Sequence, residues 1–228
     1  MKDLKVAIPL KTNSQRVPNK NLRDFCGGKS LFDVKIEQLL GTFKPSDIYV
    51  SSEDRHVAEL CAGYGVNFLL RDPALTPNDA PWHMVVKDVV GNLPPDADVM
   101  WVQVTQPLFR DFDAVVERWR REYDAIDSLA VVKRITHHIL DEKAHPLNFE
   151  FGYWHKISQD LPKLYEVTWA CFCMKRGMVD ETGYQIGRRP CLFETTAPLV
   201  DIDSPQDFEV AGILYDHYRK IGKRRGVS

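Results

Sequence analysis

The chain has 228 residues, of which 44% are hydrophobic and 27% are charged, and its formal net charge is −2. This composition is typical of one sizeable globular domain with an apolar core, and it excludes the strong basic field of a protein that binds nucleic acid or anionic membrane. No apolar run approaches the roughly 20 residues that span a bilayer, and residues 1–10 lack the features of a signal peptide.

In chain order, hydrophobic periodicity alternates between strand and helix. The predicted elements are strand 4–10, helix 30–40, strand 47–51, a helix ending near residue 64, strand 66–70, helix 79–90, strand 98–104, helix 112–123, strand 128–134, strand 164–174, one or two strands within 191–203, and helix 205–218. This alternation predicts an α/β fold with a mostly parallel sheet covered by helices on both faces. In such sheets, ligands bind beyond the carboxyl ends of the strands.

The loop after the first strand, residues 11–21, carries three cations among amide and hydroxyl side chains. Lys11, Arg16 and Lys20 could surround a triphosphate together with backbone N–H groups. The spacing is neither that of a Walker loop nor that of a dinucleotide fingerprint. An ordinary polar surface loop is the alternative interpretation.

The predicted strand at 98–104 runs into Gln103 and Gln106. Their amides would lie at the ligand edge of the sheet, where an amide can contact a base or a sugar hydroxyl. The alternative is that they only close the turn before Pro107.

Residues 136–163 interrupt the alternation of strands and helices with four histidines, prolines and aromatic residues. We expect this segment to be an arm that packs on a second copy of the chain in a homodimer; the alternative is a long surface loop. A metal site is disfavoured, because no histidine pair has a tight ligand spacing with a carboxylate.

The five cysteines are odd in number and form no C-x-x-C pair, which favours reduced thiols in the cytoplasm. They are Cys26, Cys61, Cys171, Cys173 and Cys191.

Asp201 and Asp203 stand two residues apart just before the last predicted helix. In a strand they would share one face, where two carboxylates can hold a hard cation such as Mg²⁺. Ser204 is the predicted N-cap of the helix, with Pro205 at its first position. The alternative is that Asp201 is solvated and that Asp203 only precedes the cap.

Together these segments resemble the cytidylyltransferase family of CMP-sialic acid and CMP-Kdo synthetases. The matching motifs are Lys11, Ser14, Pro18, Lys20 and Asn21 in the first loop, then Gly28-Lys29-Ser30-Leu31, Ser51-Ser52-Glu53-Asp54, Leu70-Arg71 with Asp79-Ala80, Gln103 to Leu108, and Val200 to Asp203. They follow the family's order over nearly the whole chain. Such ordered matches are more specific than any single motif.

The resemblance implies one domain over residues 1–228, with a Rossmann-like sheet of the nucleotide-diphospho-sugar transferase (GT-A-like) type and a dimerisation arm at 136–163. It implies transfer of CMP from CTP to an acidic sugar, with release of pyrophosphate and a requirement for Mg²⁺. Rival interpretations are a GT-A-type glycosyltransferase that uses a finished nucleotide-sugar, and a non-catalytic relative that only binds nucleotide.

The same resemblance implies roles for individual residues. The catalytic residues would be Arg16, Lys20 and Asp203; the nucleotide-binding residues Lys11, Asn13, Ser14, Arg16, Lys20, Asn21, Arg71 and Asp79; the substrate-binding residues Gln103, Gln106, Trp169 and Phe172; and the metal ligands Asp201 and Asp203.

Two positions depart from the family pattern. Gln15 stands where the family carries a lysine, with Arg16 next to it, and Trp169 stands where the family carries a glycine. A tryptophan changes the wall of the pocket near the sugar. The acceptor could therefore be a smaller acid or a phosphonate.

Overall fold

Strands and helices alternate along the chain in the computed structural model, which describes residues 2–224 and their side chains up to residue 221. The strands are β1 Leu4–Pro9, β2 Ile48–Ser52, β3 Asn67–Leu70, β4 Asp98–Val102, β5 Ser128–Ile135, β6 Leu164–Met174 and β7 Pro190–Glu194. The α-helices are α1 Leu31–Leu40, α2 Val57–Tyr64, α3 Trp82–Gly91, α4 Phe112–Glu122, α5 Arg176–Thr182 and α6 Pro205–Arg224.

The strands form one seven-stranded sheet in the order β3-β2-β1-β4-β6-β5-β7. Strand β6 runs antiparallel to both of its neighbours, and all other neighbouring strands are parallel. Every residue of β4 is buried, as expected for a strand covered on both faces. The prediction of a mostly parallel α/β sheet is therefore confirmed.

Helices cover both faces of this sheet. Buried side chains of α1, α2, α4 and α6 belong to one core cluster, whereas those of α3 and α5 belong to the other. None of the helices in the described part of the chain is long and apolar enough to cross a membrane.

Local sequence signals explain where several helices begin. At α1, Ser30 Oγ accepts a hydrogen bond from the Asp33 N–H, and the Asp33 carboxylate accepts one from the Ser30 N–H (2.8 Å), which is the predicted cap. Helix α3 begins at Trp82 and not at residue 79, because the backbone of Pro81 is not helical (ψ 117°). The seven-residue helix α5 was not predicted, since it is too short to display a helical period.

Of the one or two strands predicted within 191–203, one forms, namely β7. Residues 195–204 form no strand, and both edges of β4, whose end they pass, are occupied by β1 and β6. This segment crosses beyond the end of β4, where the Ile202 N–H donates to the Thr105 carbonyl (3.1 Å). Ile202 is fully buried while Asp201 and Asp203 are exposed, so the two carboxylates still lie on the side away from the core.

Residues 136–163 are irregular, as predicted, with two short 3₁₀ turns (Gly152–Trp154 and Ser158–Asp160) and one isolated bridge between Leu140 and Pro146. The segment follows β5, which is parallel to β4 through the shared neighbour β6. It therefore leaves the sheet at the edge where the carboxyl ends of the parallel strands meet.

Strand β6 contains a bulge beside this edge. Phe172 pairs with Ala130 and Val167 pairs with Val132, so residues 168–171 of β6 lie opposite Val131 alone. Within the bulge, Trp169 has a left-handed backbone (φ 58°), a conformation that costs a residue with a Cβ roughly 1–2 kcal/mol.

We predict that Trp169→Gly is more stable than Trp169→Ala by about 1 kcal/mol, because both remove the indole and only glycine relieves the backbone. The free energy of unfolding in urea at 25 °C measures the difference. The matched control is Val167, whose φ is not positive; there alanine should be at least as stable as glycine. Equal stability of the two Trp169 variants would contradict the prediction.

Candidate active site

A cavity of about 250 Å³ lies beyond the carboxyl ends of β1 and β4. We call it the loop cavity; its lining residues are Pro9, Lys11, Ser14, Gln15, Arg16, Lys20, Asn21, Asn78, Gln103, Val104 and Thr105. A second cavity of about 210 Å³ shares Pro9, Lys11, Asn78 and Gln103 with it. This Arg71 cavity is completed by Arg71, Leu75, Thr76, Pro77, Ala80, Trp82 and Val85.

Two larger cavities, of about 360 and 440 Å³, lie at the opposite, amino-terminal edge of the sheet. They contain none of the residues that the sequence predicted to bind nucleotide, substrate or metal. Their size alone would favour them as the ligand site. The residues predicted to bind nucleotide that line a cavity, however, line the two smaller ones.

Lys20 is the most enclosed cation of the loop cavity, with 9% of its surface exposed. Its Nζ donates to the Ile202 carbonyl (2.5 Å) and lies 3.6 Å from Asp203 Oδ1. Burial lowers the pKa of Lys20, while the charges of Asp203 and Asp201 act in the opposite direction. The ammonium is therefore held in place before any ligand arrives.

Arg16 and Asp203 form a second contact at the rim of the loop cavity, 2.8 Å apart. Both side chains are more than half exposed, and such pairs contribute only about 0–1 kcal/mol. The pair can therefore exchange for an anion at Arg16 and a cation at Asp203 at little cost.

Asp201 and Asp203 provide the oxygen donors that the sequence predicted for Mg²⁺. Although the residue as a whole is exposed, desolvation of its carboxyl group raises the pKa of Asp201; a hydrogen bond from Thr105 opposes this shift, and the charge of Asp203 adds to it. The described residues contain no group of three or more Asp, Glu, His or Cys that could hold a metal. Because Mg²⁺ often binds through one or two carboxylates plus phosphates and water, the donor set fits a cation completed by a phosphate ligand.

The backbone of Asp203 is fixed by the start of α6. The Asp207 carboxylate accepts hydrogen bonds from the N–H groups of Asp203 (3.1 Å) and Ser204 (2.7 Å), and Ser204 Oγ accepts from the Asp207 N–H. The predicted cap at Ser204 is confirmed, and it anchors the acidic segment next to Lys20.

Lys11 reaches across the mouth of the loop cavity. Its Nζ donates to Asn78 Oδ1 (2.6 Å), and Asn78 Nδ2 donates to Gln15 Oε1 (3.1 Å). Asn78 follows β3 and was not predicted, although it stands next to the predicted Asp79. Gln15 thus contributes to the rim through its amide, while Arg16 supplies the charge.

The first loop is tied to the sheet at both ends. The Thr12 N–H and hydroxyl both donate to Glu53 Oε1 (3.0 Å each), and Asn21 Nδ2 donates to the Lys11 carbonyl (2.8 Å). Asn21 Oδ1 is buried and has no hydrogen-bond partner among the described residues. Since Asn21 lines the loop cavity, this oxygen is available to a donor on a ligand.

Arg71 fixes the ends of β1 and β2 from a buried position. Its Nη2 donates to the carbonyls of Leu10 (3.1 Å) and Ser51 (2.5 Å), and its Nε donates to Ser51 Oγ (3.3 Å). Burial lowers the pKa of Arg71. The guanidinium therefore forms a rigid wall of the Arg71 cavity.

Seven predicted site residues line neither cavity: Asn13, Asp79, Gln106, Trp169, Phe172, Asp201 and Asp203. Asn13 and Asp79 are exposed beside the cavities. Gln106 is buried and donates to the Thr168 carbonyl (2.6 Å), and Phe172 is buried in the core that contains α3. The structure thus gives Gln106 and Phe172 interior contacts, and their assignment as substrate ligands has no geometric support here.

Trp169 lies next to the site because it packs against another aromatic residue, which lines one of the cavities. Its ring centroid is 6.0 Å from that of Trp82, which lines the Arg71 cavity and was not predicted. Because β6 runs antiparallel to β4 and Val102 pairs with Cys171, residues just before Cys171 pass the end of β4. This places Trp169 at the ligand edge.

Taken together, the loop cavity offers three cations, two of which contact Asp203, and the Arg71 cavity adjoins it. Such an arrangement can hold a polyphosphate by charge-assisted hydrogen bonds, with an attached group in the neighbouring cavity.

Comparison with known proteins agrees with this geometry. Residues 6–149 match the family described as cytidylyltransferase. The chain is 25% identical over 221 residues to an N-acylneuraminate cytidylyltransferase of Streptococcus agalactiae, covering 92% of this chain and 53% of that protein. It is 27% identical to a pseudaminic acid cytidylyltransferase of Campylobacter jejuni, covering 94% and 97%. The chain spans about half the length of the Streptococcus relatives.

Solved structures share the fold. A CMP:2-keto-3-deoxy-manno-octonic acid synthetase complexed with CTP superimposes with a TM-score of 0.66 at 16% identity, covering 95% of this chain and 99% of that one. A cytidylyltransferase from Leptospira borgpetersenii has a TM-score of 0.64 at 11% identity, with coverage of 99% and 96%. The fold predicted from the sequence is therefore confirmed.

We predict that Lys20→Ala weakens the binding of inorganic pyrophosphate at least tenfold, since a hydrogen bond to a charged group contributes about 1.5–3 kcal/mol. Titration calorimetry without divalent cations measures the affinity. Lys29→Ala is the matched control, because Lys29 pairs with Glu37 (2.6 Å) and lines neither cavity. Unchanged affinity in Lys20→Ala, or a larger loss in Lys29→Ala, would show that the anion lies elsewhere.

Proposed function

Because the chain belongs to the cytidylyltransferase family, we propose that it transfers CMP from CTP to an acidic sugar and releases pyrophosphate. The observation that carries this proposal is the convergence of Lys11, Arg16 and Lys20 on one cavity, with Asp203 in contact with Arg16 and Lys20. The relatives named above act on N-acylneuraminate and pseudaminic acid, and both acceptors are acidic sugars.

In the proposed reaction, an acceptor oxygen attacks the α-phosphorus of CTP and the bond to pyrophosphate breaks. Positioning and charge stabilisation supply most of the catalysis in phosphoryl transfer. Lys20, Lys11 and Arg16 bind the triphosphate and offset the charge that develops on the leaving pyrophosphate. The enclosed Lys20 contributes most, because a preorganised cation needs no rearrangement during the reaction.

Asp201 and Asp203 are the residues that would hold Mg²⁺, with the remaining ligands from phosphate and water. When bound, the ion would supply electrostatic stabilisation of the phosphate oxygens. A cation held by Asp203 would replace its contact with Arg16, which would leave the Arg16 guanidinium to the triphosphate.

The Arg71 cavity is the proposed nucleoside site, and Gln103, which lines both cavities, is placed between nucleoside and phosphates. The acceptor would enter beside Trp82 and Trp169. Their indoles narrow this side, so a smaller acid or a phosphonate is the second acceptor class to test. The described cysteines are free thiols, which is compatible with the cytoplasm as the proposed location.

Pyrophosphate release from CTP, Mg²⁺ and a panel of acids tests the proposal. The panel contains N-acylneuraminate, pseudaminic acid, 2-keto-3-deoxy-manno-octonate and a short phosphonate. We expect release with at least one acid and at least tenfold less with UTP, because mispairing a buried polar group costs about 1–3 kcal/mol. No release with any acid, but sugar transfer from a finished nucleotide-sugar, would favour a glycosyltransferase instead.

Asp203→Asn is the variant that accompanies this assay, and it should lower turnover at least about a hundredfold, the scale of one lost transition-state stabiliser. Chelation of divalent cations should do the same to the wild type. Asp216→Asn is the matched control, because Asp216 pairs with Arg219 and Lys220 on α6. Near-wild-type turnover in Asp203→Asn, with circular dichroism unchanged, would remove the metal assignment.

We also propose that the chain forms a homodimer through residues 136–163. Aromatic side chains of this arm are exposed, with Tyr153 at 91%, Trp154 at 69% and Phe151 at 63%. Aromatic residues are enriched at protein interfaces, and a twofold contact would bury the same residues on both subunits.

We predict that light scattering at micromolar concentration gives about twice the chain mass of 26.2 kDa, and that Tyr153→Ser with Trp154→Ser shifts the mass toward the monomer. Ile213→Ser removes an exposed apolar residue of α6 instead (71% exposed) and should leave the dimer intact. A wild-type protein that scatters only as a 26.2 kDa species would reject the homodimer.

A further inference from the structure

Lys35 is a fully buried lysine of α1 that the proposed reaction does not use directly. Its Nζ donates to the carbonyls of Gln106 (2.9 Å) and Phe109 (3.2 Å). It also lies 5.1 Å from the ring centroid of Phe112. All three partners follow β4, whose end forms the wall between the two cavities.

The surroundings of Lys35 contain no balancing carboxylate. Within the described residues, no Asp or Glu oxygen lies within 4.0 Å of its Nζ. The pKa of Lys35 is lowered to about 7, mainly by burial; Cys171 of β6 opposes the shift, and Arg110 adds to it. Since an unpaired buried charge is costly and an apolar side chain of similar length would fill the space without it, packing alone does not account for a lysine.

The turn that Lys35 holds connects two walls of the site. Gln103 and Thr105, just before the turn, line the loop cavity. Gln106, within it, donates its amide to the Thr168 carbonyl at the start of the β6 bulge (2.6 Å). Two carbonyls of one turn thus depend on a single ammonium.

We propose that Lys35 is a positioning residue that fixes the turn at 106–109, and through it Gln103, Thr105 and the Thr168 bulge, for the reaction. Only the kinetic effects expected from this role depend on the proposed function. Charge-assisted hydrogen bonds are about twice as strong as neutral ones, so the turn is held best when Lys35 is protonated. Its hold should weaken as the pH rises through about 7.

The variants Lys35→Met and Lys35→Arg test this role. The first fills the buried volume without charge, and the second keeps a charge at every accessible pH. Gln38→Met is the matched control, because Gln38 Nε2 donates to the Pro107 carbonyl of the same turn (2.7 Å) without carrying charge.

The first readout needs no substrate. Hydrogen exchange of the peptide 103–110, corrected for intrinsic rates, should accelerate in the wild type with a midpoint near pH 7. Lys35→Met should exchange faster at every pH, Lys35→Arg should lose the midpoint, and Gln38→Met should keep it. This measurement does not require CTP to be the substrate. The role of Lys35 and the proposed function can therefore be contradicted independently.

The second readout is kinetic. Lys35→Met should lower kcat at least tenfold at pH 6.5, with the KM for CTP changed less than twofold, and should remove the ionisation near pH 7 from the kcat profile. Because the folded-state pKa is depressed, Lys35 lowers the free energy of unfolding; this cost is full below about pH 7 and fades as the pH rises from there toward the ordinary lysine value of 10.5. Lys35→Met should therefore be at least as stable as the wild type at pH 6.

The outcome that overturns the proposal is a pH-independent exchange rate at 103–110 in the wild type. A Lys35→Met variant with wild-type kcat and pH profile would do the same. If Lys35→Met does not fold, the wild-type and Lys35→Arg exchange profiles decide the question.

Discussion

The pairing of β4 with β1 on one edge and with the oppositely directed β6 on the other is the constraint on which the site depends. The parallel pair places the loops after β1 and β4 at the same edge. The antiparallel pair adds the first half of β6, with its bulge at Thr168 and Trp169. Strand β4 has no free edge, and the acidic segment before α6 crosses its end, which places Asp201 and Asp203 over the same opening.

Charge within this opening is arranged before a ligand binds. Lys20 is held by a main-chain carbonyl and not by a carboxylate alone, so its ammonium keeps its place when Asp203 changes partner. Arg16, in contrast, is exposed and exchanges readily. A fixed cation and a movable one together suit a ligand whose charge is redistributed when a bond breaks.

Sequence reasoning located what local pattern determines. The strands were found because fully covered strands are apolar runs. Lys11, Arg16, Lys20 and Gln103 were predicted in the segments after such runs, and the structure brings them to one cavity. Local pattern gives less where the outcome depends on distant neighbours. Residues 195–204 form no strand, and Gln106 and Phe172 are engaged by the interior. No local sequence pattern marks Asn78 and Trp82 as site residues. They reach the site only because the turn after β3 folds against the first loop. From the sequence alone, Lys35 would be expected to be solvated. In the fold, the turn at 106–109 covers it.

The left-handed backbone at Trp169 has a consequence for how this site can change over generations. Glycine, which suits that backbone without strain, is a single base substitution away from tryptophan in the genetic code. Mutation can therefore reach the relaxed backbone in one step, and the step back is equally short. This position thus has two neighbouring states, one open and one filled by an indole, and a single base change separates them.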